Sequence, residues 1–182
     1  DMAAVSNDDD TKAAYHAREA LLTPIAKSYG SDIGVEVASI GLQIHGGMGF
    51  IEETGAAQHY RDSRIAPIYE GTNGIQAIDL TGRKLRRDGG AAMTAMIADL
   101  RSMQALAKTA GDNKNINMSA CVKSLGTGIE ALEQATNIVL DANDLDVLTV
   151  STPYLNLAAH VISGGLLIKA AANGLLAGDD GA

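Results

Sequence analysis

Among the residues of this chain, Glu70 has the setting that most favours acid–base chemistry. It stands between Tyr69 and Gly71, and Ile65, Ala66, Pro67 and Ile68 lead up to it. A carboxylate among apolar neighbours loses hydration, which makes it a stronger base. Gly71 leaves room for a ligand to approach the backbone. Thr72 and Asn73 can cap a helix that starts there, and its free N–H groups favour an anion or a polarised oxygen. A base beside a carbonyl-binding helix start is what abstraction of a proton next to a carbonyl requires. The same spacing also fits a plainer role, a first-turn carboxylate complementing the helix dipole. Spacing alone leaves both open.

A second cluster, Gly46-Gly47-Met48-Gly49, could cradle a phosphate or simply end a helix. No strand pattern precedes it, so the dinucleotide-binding fingerprint does not apply. His16, His45, His59 and His160 lack the spacing of a metal site, and His45 is expected to be buried and hydrogen-bonded at a helix end. Cys121 is the one cysteine, which excludes an internal disulfide and leaves a small buried or half-buried side chain as the expectation. Arg83, Lys84, Arg86 and Arg87 form a basic run that suits a helix C-terminus better than a phosphate site.

The elements that would hold these groups read as helices. The acidic opening predicts an N-cap at Asp10 or Thr11, with a helix over 12–28 that Pro24 bends or interrupts. Residues 29–32 read as a break. Residues 33–45 are apolar on nearly every side, which predicts a helix buried in a bundle. A short helix over 53–60 and a loop over 62–69 lead to a helix over 71–86, ended by Asp88-Gly89-Gly90. Three longer helices follow. Met96, Leu100, Met103 and Ala107 share one face of the first. Leu125, Ile129, Leu132, Thr136 and Val139 share one face of the second. The third is expected to start after Pro153, with Leu155, Ile162, Leu166 and Leu175 as apolar positions and Gly164-Gly165 as a site of close helix approach. Few segments alternate with a period of two, so the class is all-α. Gly89-Gly90 is the best internal boundary, dividing the chain into 1–88 and 91–182.

The 182 residues carry a net charge of −8, which argues against binding nucleic acid through a global field. Hydrophobic residues make up 46% and aromatics 3%, so aliphatic and small side chains must fill the core. Asn156, His160, Ser163, Lys169 and Asn173 interrupt the apolar stretch 154–176, which favours a core helix over a membrane span. A cytoplasmic location is the default expectation.

Residues 43–85 resemble the C-terminal helical domain of the acyl-CoA dehydrogenases. The resemblance rests on Gln43, Gly46, Gly47 and Gly49, then Arg61 and Asp62, then Ile68, Tyr69, Glu70, Gly71 and Thr72, in that order. The second half more loosely resembles the extra C-terminal helical domain of the larger bacterial members, the 3-methylmercaptopropionyl-CoA dehydrogenase type. The resemblance implies that Glu70 is the base that removes the α-proton of an acyl-CoA while hydride leaves to FAD. It implies that Tyr69 and Gly71 line the substrate site, that the Glu70 N–H polarises the thioester carbonyl, and that Thr72, Asn73 and Gly74 touch FAD. Gln43, Ile44, His45, Gly46 and Gly47 would contact the FAD of a neighbouring subunit, which implies a homo-oligomer. An electron-transfer flavoprotein is the implied acceptor. Glu at position 70 is similar to the short- and medium-chain arrangement, and Thr72 favours a dehydrogenase over an oxidase. Gly74 departs from the polar residue of many relatives, which leaves a backbone contact there. No β-domain pattern is visible, so the chain is expected to be a fragment that is inactive alone. A non-catalytic assembly module and the alkylation-response branch of the superfamily are the competing expectations.

Overall fold

The computed structural model describes residues 8–114 and 116–177, and every regular element among them is helical. The first helix, α1, spans Asp9–Ile44. The short α2 (Gly47–Phe50), a 3₁₀ turn (Glu52–Thr54) and α3 (Ala56–Ser63) follow. Next, α4 (Asn73–Ile78) runs through a π-helical turn (Asp79–Lys84) into α5 (Leu85–Arg87). The long helices α6 (Ala91–Lys114), α7 (Ser119–Asp141) and α8 (Asp144–Ala177) complete the chain.

The start and the course of α1 both differ from the sequence expectation. Asp8, not Asp10 or Thr11, is the N-cap, and its carboxylate accepts the Thr11 N–H at 2.9 Å. The helix continues through Pro24 and Gly30 without a break. A proline inside a helix costs about 3 kcal/mol. Here Pro24 lies buried beside Leu21 and Ile25, so burial of this turn in the core offsets the lost hydrogen bond. Gly30 faces open space, where a helical glycine costs only about 1 kcal/mol.

The faces expected for α6 and α7 are realised. Met96, Leu100, Met103 and Ala107 are buried, as are Leu125, Ile129, Leu132, Thr136 and Val139. The third long helix instead begins nine residues before Pro153, at Asp144. Asn143 explains that start, because its Oδ1 accepts the N–H groups of Leu145 and Asp146 at 3.0 Å each. Val147 and Ser151 then bury the added turns. Leu155 and Ile162 face the core, whereas Leu166 is exposed.

The helix α8 is long and apolar enough to cross a bilayer by length and composition. In this fold it sits against α4, α6 and α7, and Tyr154, Leu155, Ala158 and Ile162 belong to the main core. That core is continuous across the Gly89–Gly90 turn. Leu21, Ile25, Ala77, Leu80 and Leu85 from one side pack in the same cluster as Met93, Leu100, Ile129 and Leu155 from the other. Both glycines of the turn have positive φ, 61° and 84°, and Gly90 N–H closes it on Leu85 O at 2.8 Å.

The π turn was not legible in the sequence. It accompanies the burial of Ala77, Leu80, Thr81 and Leu85 together. The Thr81 hydroxyl donates to Ala77 O and meets the Ser151 hydroxyl at 2.7 Å, which satisfies both buried groups. Cys121 is exposed, contrary to expectation, although it lies one turn before Leu125 on the same face of α7.

Candidate active site

The residues around Glu70 form a tight turn between α3 and α4. Tyr69 N–H bonds to Ile65 O at 3.1 Å, and Asn73 N–H reaches back to Pro67 O at 3.1 Å. Thr72 caps α4, its Oγ1 accepting the Ile75 N–H at 3.3 Å. Asn73 does not cap. Its side chain turns to α1 instead, where Nδ2 donates to Ser28 O at 3.1 Å and to Asp32 Oδ1 at 2.7 Å.

Glu70 has φ 53°, and among the described residues it is the one non-glycine with positive φ. Gly71 follows with φ 86°. A side chain held in the left-handed region costs of order 1–3 kcal/mol and persists only where its surroundings hold it. Two hydrogen bonds do so. Gln76 Nε2 donates to Glu70 O at 3.2 Å, and Lys27 Nζ donates to Gly71 O at 2.7 Å. Because the peptide is planar and trans, its C=O and N–H point opposite ways. Drawing both carbonyls inward therefore aims the N–H groups of Gly71 and Thr72 away from Gln76 and Lys27.

The Glu70 carboxylate is exposed and has no hydrogen-bond or ion-pair partner among the described residues. The desolvation expected from Ile65 and Ile68 is therefore absent in this chain. Those two side chains are themselves 57% and 54% exposed, and Tyr69 is 51% exposed. What remains is a strained, unpartnered carboxylate rimmed by apolar side chains that no described residue covers.

The second expected cluster lies farther along α1. Gln43, Ile44, His45, Gly46 and Gly47 are all exposed at its C-terminus. His45 is not buried, although its Nδ1 lies 2.8 Å from Gly41 O. The Gly46 N–H bonds to Gln43 O at 3.0 Å, so these residues do end the helix. The Tyr69–Gly74 segment contacts α1 through Lys27, Ser28, Ser31 and Asp32. Gln43 stands eleven residues beyond Asp32, about 16 Å along a helix. No hydrogen bond joins the two clusters among the described residues. Arg61 does not pair with Asp62. It forms a two-pronged bond to Glu52 at 2.8 and 2.7 Å, which holds the Glu52 carboxyl below the usual carboxylate range. Asp62 accepts instead from Gln58.

Between and around these clusters, α1 exposes the stripe that the sequence assigned to a bundle interior. Val37, Ile40 and Ile44 are 60%, 51% and 78% exposed, and Phe50 on α2 is 83% exposed. Their spacing repeats as a helical face should, but no described residue packs on it.

The basic run resolves into separate ion pairs. Arg83 pairs with Asp79 one turn back, and Arg86 pairs with Asp144 and the Ala142 carbonyl at the start of α8. Lys27, Gln76 and Asn73's anchors on α1 are the site residues that sequence reasoning missed as a group. Only the three-dimensional crossing of α1 over α4 brings them together.

Comparison with known proteins identifies the setting of these residues. Residues 2–85 match the family described as "Acyl-CoA dehydrogenase, C-terminal domain". Over 82 residues, 45% of this chain, the sequence is 58% identical to the 3-methylmercaptopropionyl-CoA dehydrogenase of Ruegeria pomeroyi and covers 14% of that protein. It is 32% identical to the butyryl-CoA dehydrogenase of Syntrophomonas wolfei over 85% of this chain and 24% of the relative. It is 29% identical to the broad-specificity linear acyl-CoA dehydrogenase FadE5 of Mycobacterium tuberculosis over 100% of this chain and 30% of that relative. The chain thus spans less than a third of the length of each of these three relatives.

Proposed function

We propose, from the premise that this chain belongs to the acyl-CoA dehydrogenases through its residues 2–85, that it is the C-terminal part of an FAD-dependent enzyme that desaturates an acyl-CoA thioester. Glu70 is the base in this reading. The observation that carries it is the combination at Glu70 of positive φ, an unpartnered carboxylate and an apolar rim. Strain kept at an exposed carboxylate that bonds to none of the described residues is poorly explained by stability, and well explained by a proton acceptor held for a ligand.

In the Mechanism this implies, the acyl chain lies against Tyr69 and Gly71, and the Glu70 carboxylate takes a proton from the α-carbon. The Glu70 N–H donates to the thioester oxygen, which stabilises charge that develops as the proton leaves. Thr72, Asn73 and Gly74 would hold the cofactor. Gly74 supports this assignment, since the nearest atom to a Cβ placed there is Thr72 Oγ1 at 3.9 Å, leaving an open wall. When bound, FAD supplies the acceptor for the hydride from the β-carbon. Closure by the remainder of the enzyme would bury Ile65, Ile68 and Tyr69 and so supply the desolvation that the base needs. Gln43, Ile44, His45, Gly46 and Gly47, about 16 Å farther along α1, would contact the cofactor of a neighbouring subunit in this reading, hence a homo-oligomer. An electron-transfer flavoprotein is the proposed acceptor.

The test uses the FAD-loaded enzyme that contains this chain, mixed without oxygen with a panel of acyl-CoAs while flavin absorbance is followed. Rapid bleaching in wild type is expected to be lost in Glu70→Gln. Bleaching that persists in the variant, or fails with every thioester in wild type, sinks the reading.

A further inference from the structure

We infer that Lys27 is a positioning residue for the Glu70 base, holding the strained turn in place from the middle of α1. The inference rests on the reading of Glu70 as a base. Lys27 Nζ donates to two acceptors of the turn, Gly71 O at 2.7 Å and Asn73 Oδ1 at 2.9 Å. It is half-buried and lies 44 residues before Gly71, so it is a tertiary clamp rather than a local cap. The other bond to the turn, from Gln76, comes from the helix the turn itself begins and moves with it.

Asn73 makes the clamp rigid. Its amide is fixed by Ser28 O, Ser31 Oγ and Asp32 Oδ1, all on the turn of α1 that follows Lys27. The Lys27 ammonium thus bridges an anchored side chain and the carbonyl next to the base. A charge-assisted donor is stronger than a neutral one, and its pull on Gly71 O fixes the plane of the peptide that follows Gly71. With that carbonyl released, the pair Glu70–Gly71 can leave the left-handed region, where Glu70 is disfavoured. The carboxylate then swings with the backbone. The loss is therefore expected at the reacting centre rather than in the binding of the thioester's remote parts.

The test compares Lys27→Met, Lys27→Arg and Glu70→Gln in the FAD-loaded enzyme. Lys27→Met is expected to lower the limiting rate of flavin reduction roughly 10- to 100-fold, the cost of a base displaced by about 1 Å. KM should stay within about twofold, the signature of an interaction that matters in the transition state rather than in binding. Lys27→Arg, which keeps a charged donor, should recover most of the rate. Amide hydrogen exchange should quicken at residues 70–73 in Lys27→Met and stay unchanged in the core of α7. A wild-type limiting rate in Lys27→Met, or a loss confined to KM, overturns the inference. If Glu70→Gln reduces flavin normally, the base reading falls. If Glu70→Gln is dead while Lys27→Met is unimpaired, the clamp alone falls. Should Lys27→Met fail to load FAD, Lys27→Gln is read by the same criteria.

Discussion

A glutamate at φ 53° is a local cost that the folded chain carries at one position. Glycine enters that region freely, so Glu70→Gly should raise stability by about 1 kcal/mol even though glycine loosens the unfolded chain. Glu70→Gln keeps the strain and, with no partner to lose among the described residues, should leave stability within about 0.5 kcal/mol of wild type. Chemical denaturation of the 182-residue chain checks both. A destabilised Glu70→Gly would mean that the turn draws support from the Glu70 side chain itself. The contrast between sequence and structure is sharpest at this scale. Glu70 was legible because its type, its apolar run-up and Gly71 are contiguous. Lys27 was not, because its meaning arises only where α1 crosses α4. The positive φ was not legible either, since nothing in a Tyr-Glu-Gly sequence demands it.

At the scale of elements, regular periodicity was read correctly and punctuation was overread. The apolar faces of α6 and α7 repeat at helical spacing and are buried as that spacing requires. The sequence points to an interruption at Pro24 and at Gly30 and to a helix start after Pro153, yet each lies inside a helix that packing sustains. The exposed face of α1 is the opposite case. Its apolar pattern was read as buried, and the helix is there without its cover. Close approach at the adjacent glycines of α8 was half right, and it separates into two measurable outcomes. A Cβ on Gly164 meets no atom within 4 Å, so Gly164→Ala should stabilise the helix by about 0.5–1 kcal/mol. A Cβ on Gly165 would collide with Leu100 Cδ2, in a core where Leu100 is fully buried. Gly165→Ala should therefore cost about 1–3 kcal/mol. Thermal unfolding of the pair should show shifts of opposite sign, and equal shifts would refute the packing of α8 on α6.

The whole molecule combines a closed core with an open site. One side of the bundle, around α6, α7 and α8, buries its apolar stripes in a main cluster and a smaller one formed by Ala107, Ala110 and Ala172. The other side leaves Val37, Ile44 and Phe50, and Tyr69 beside the proposed base, in solvent. Because the proposed cofactor residues form only one open wall, the 182-residue chain alone should elute from gel filtration without stoichiometric FAD, and retention of the flavin would show the proposed site to be more complete than this. Stability of the closed side has its own pH signature. Tyr154 is 3% exposed in the first third of α8, and its hydroxyl meets Thr136 Oγ1 on α7 at 2.7 Å. Burial pushes its pKa up from 10.0 to about 12, against a smaller downward pull from the Thr136 bond. The folded state thus holds the proton more tightly than the unfolded chain. Its contribution is fully present below pH 10, where both states are neutral. Between pH 10 and about pH 12 the unfolded chain releases the proton and the folded one keeps it. Stability should fall there by roughly 1.4 kcal/mol per pH unit from this group. Tyr154→Phe removes the slope that Tyr154 contributes. It also strips the Thr136 hydroxyl of one partner, but that group still donates to Leu132 O at 2.7 Å, so the loss at neutral pH should be about 1 kcal/mol. The stabilities of wild type and Tyr154→Phe should therefore converge above pH 10 and cross before about pH 12, and a gap that stays constant would place the Tyr154 hydroxyl in contact with water.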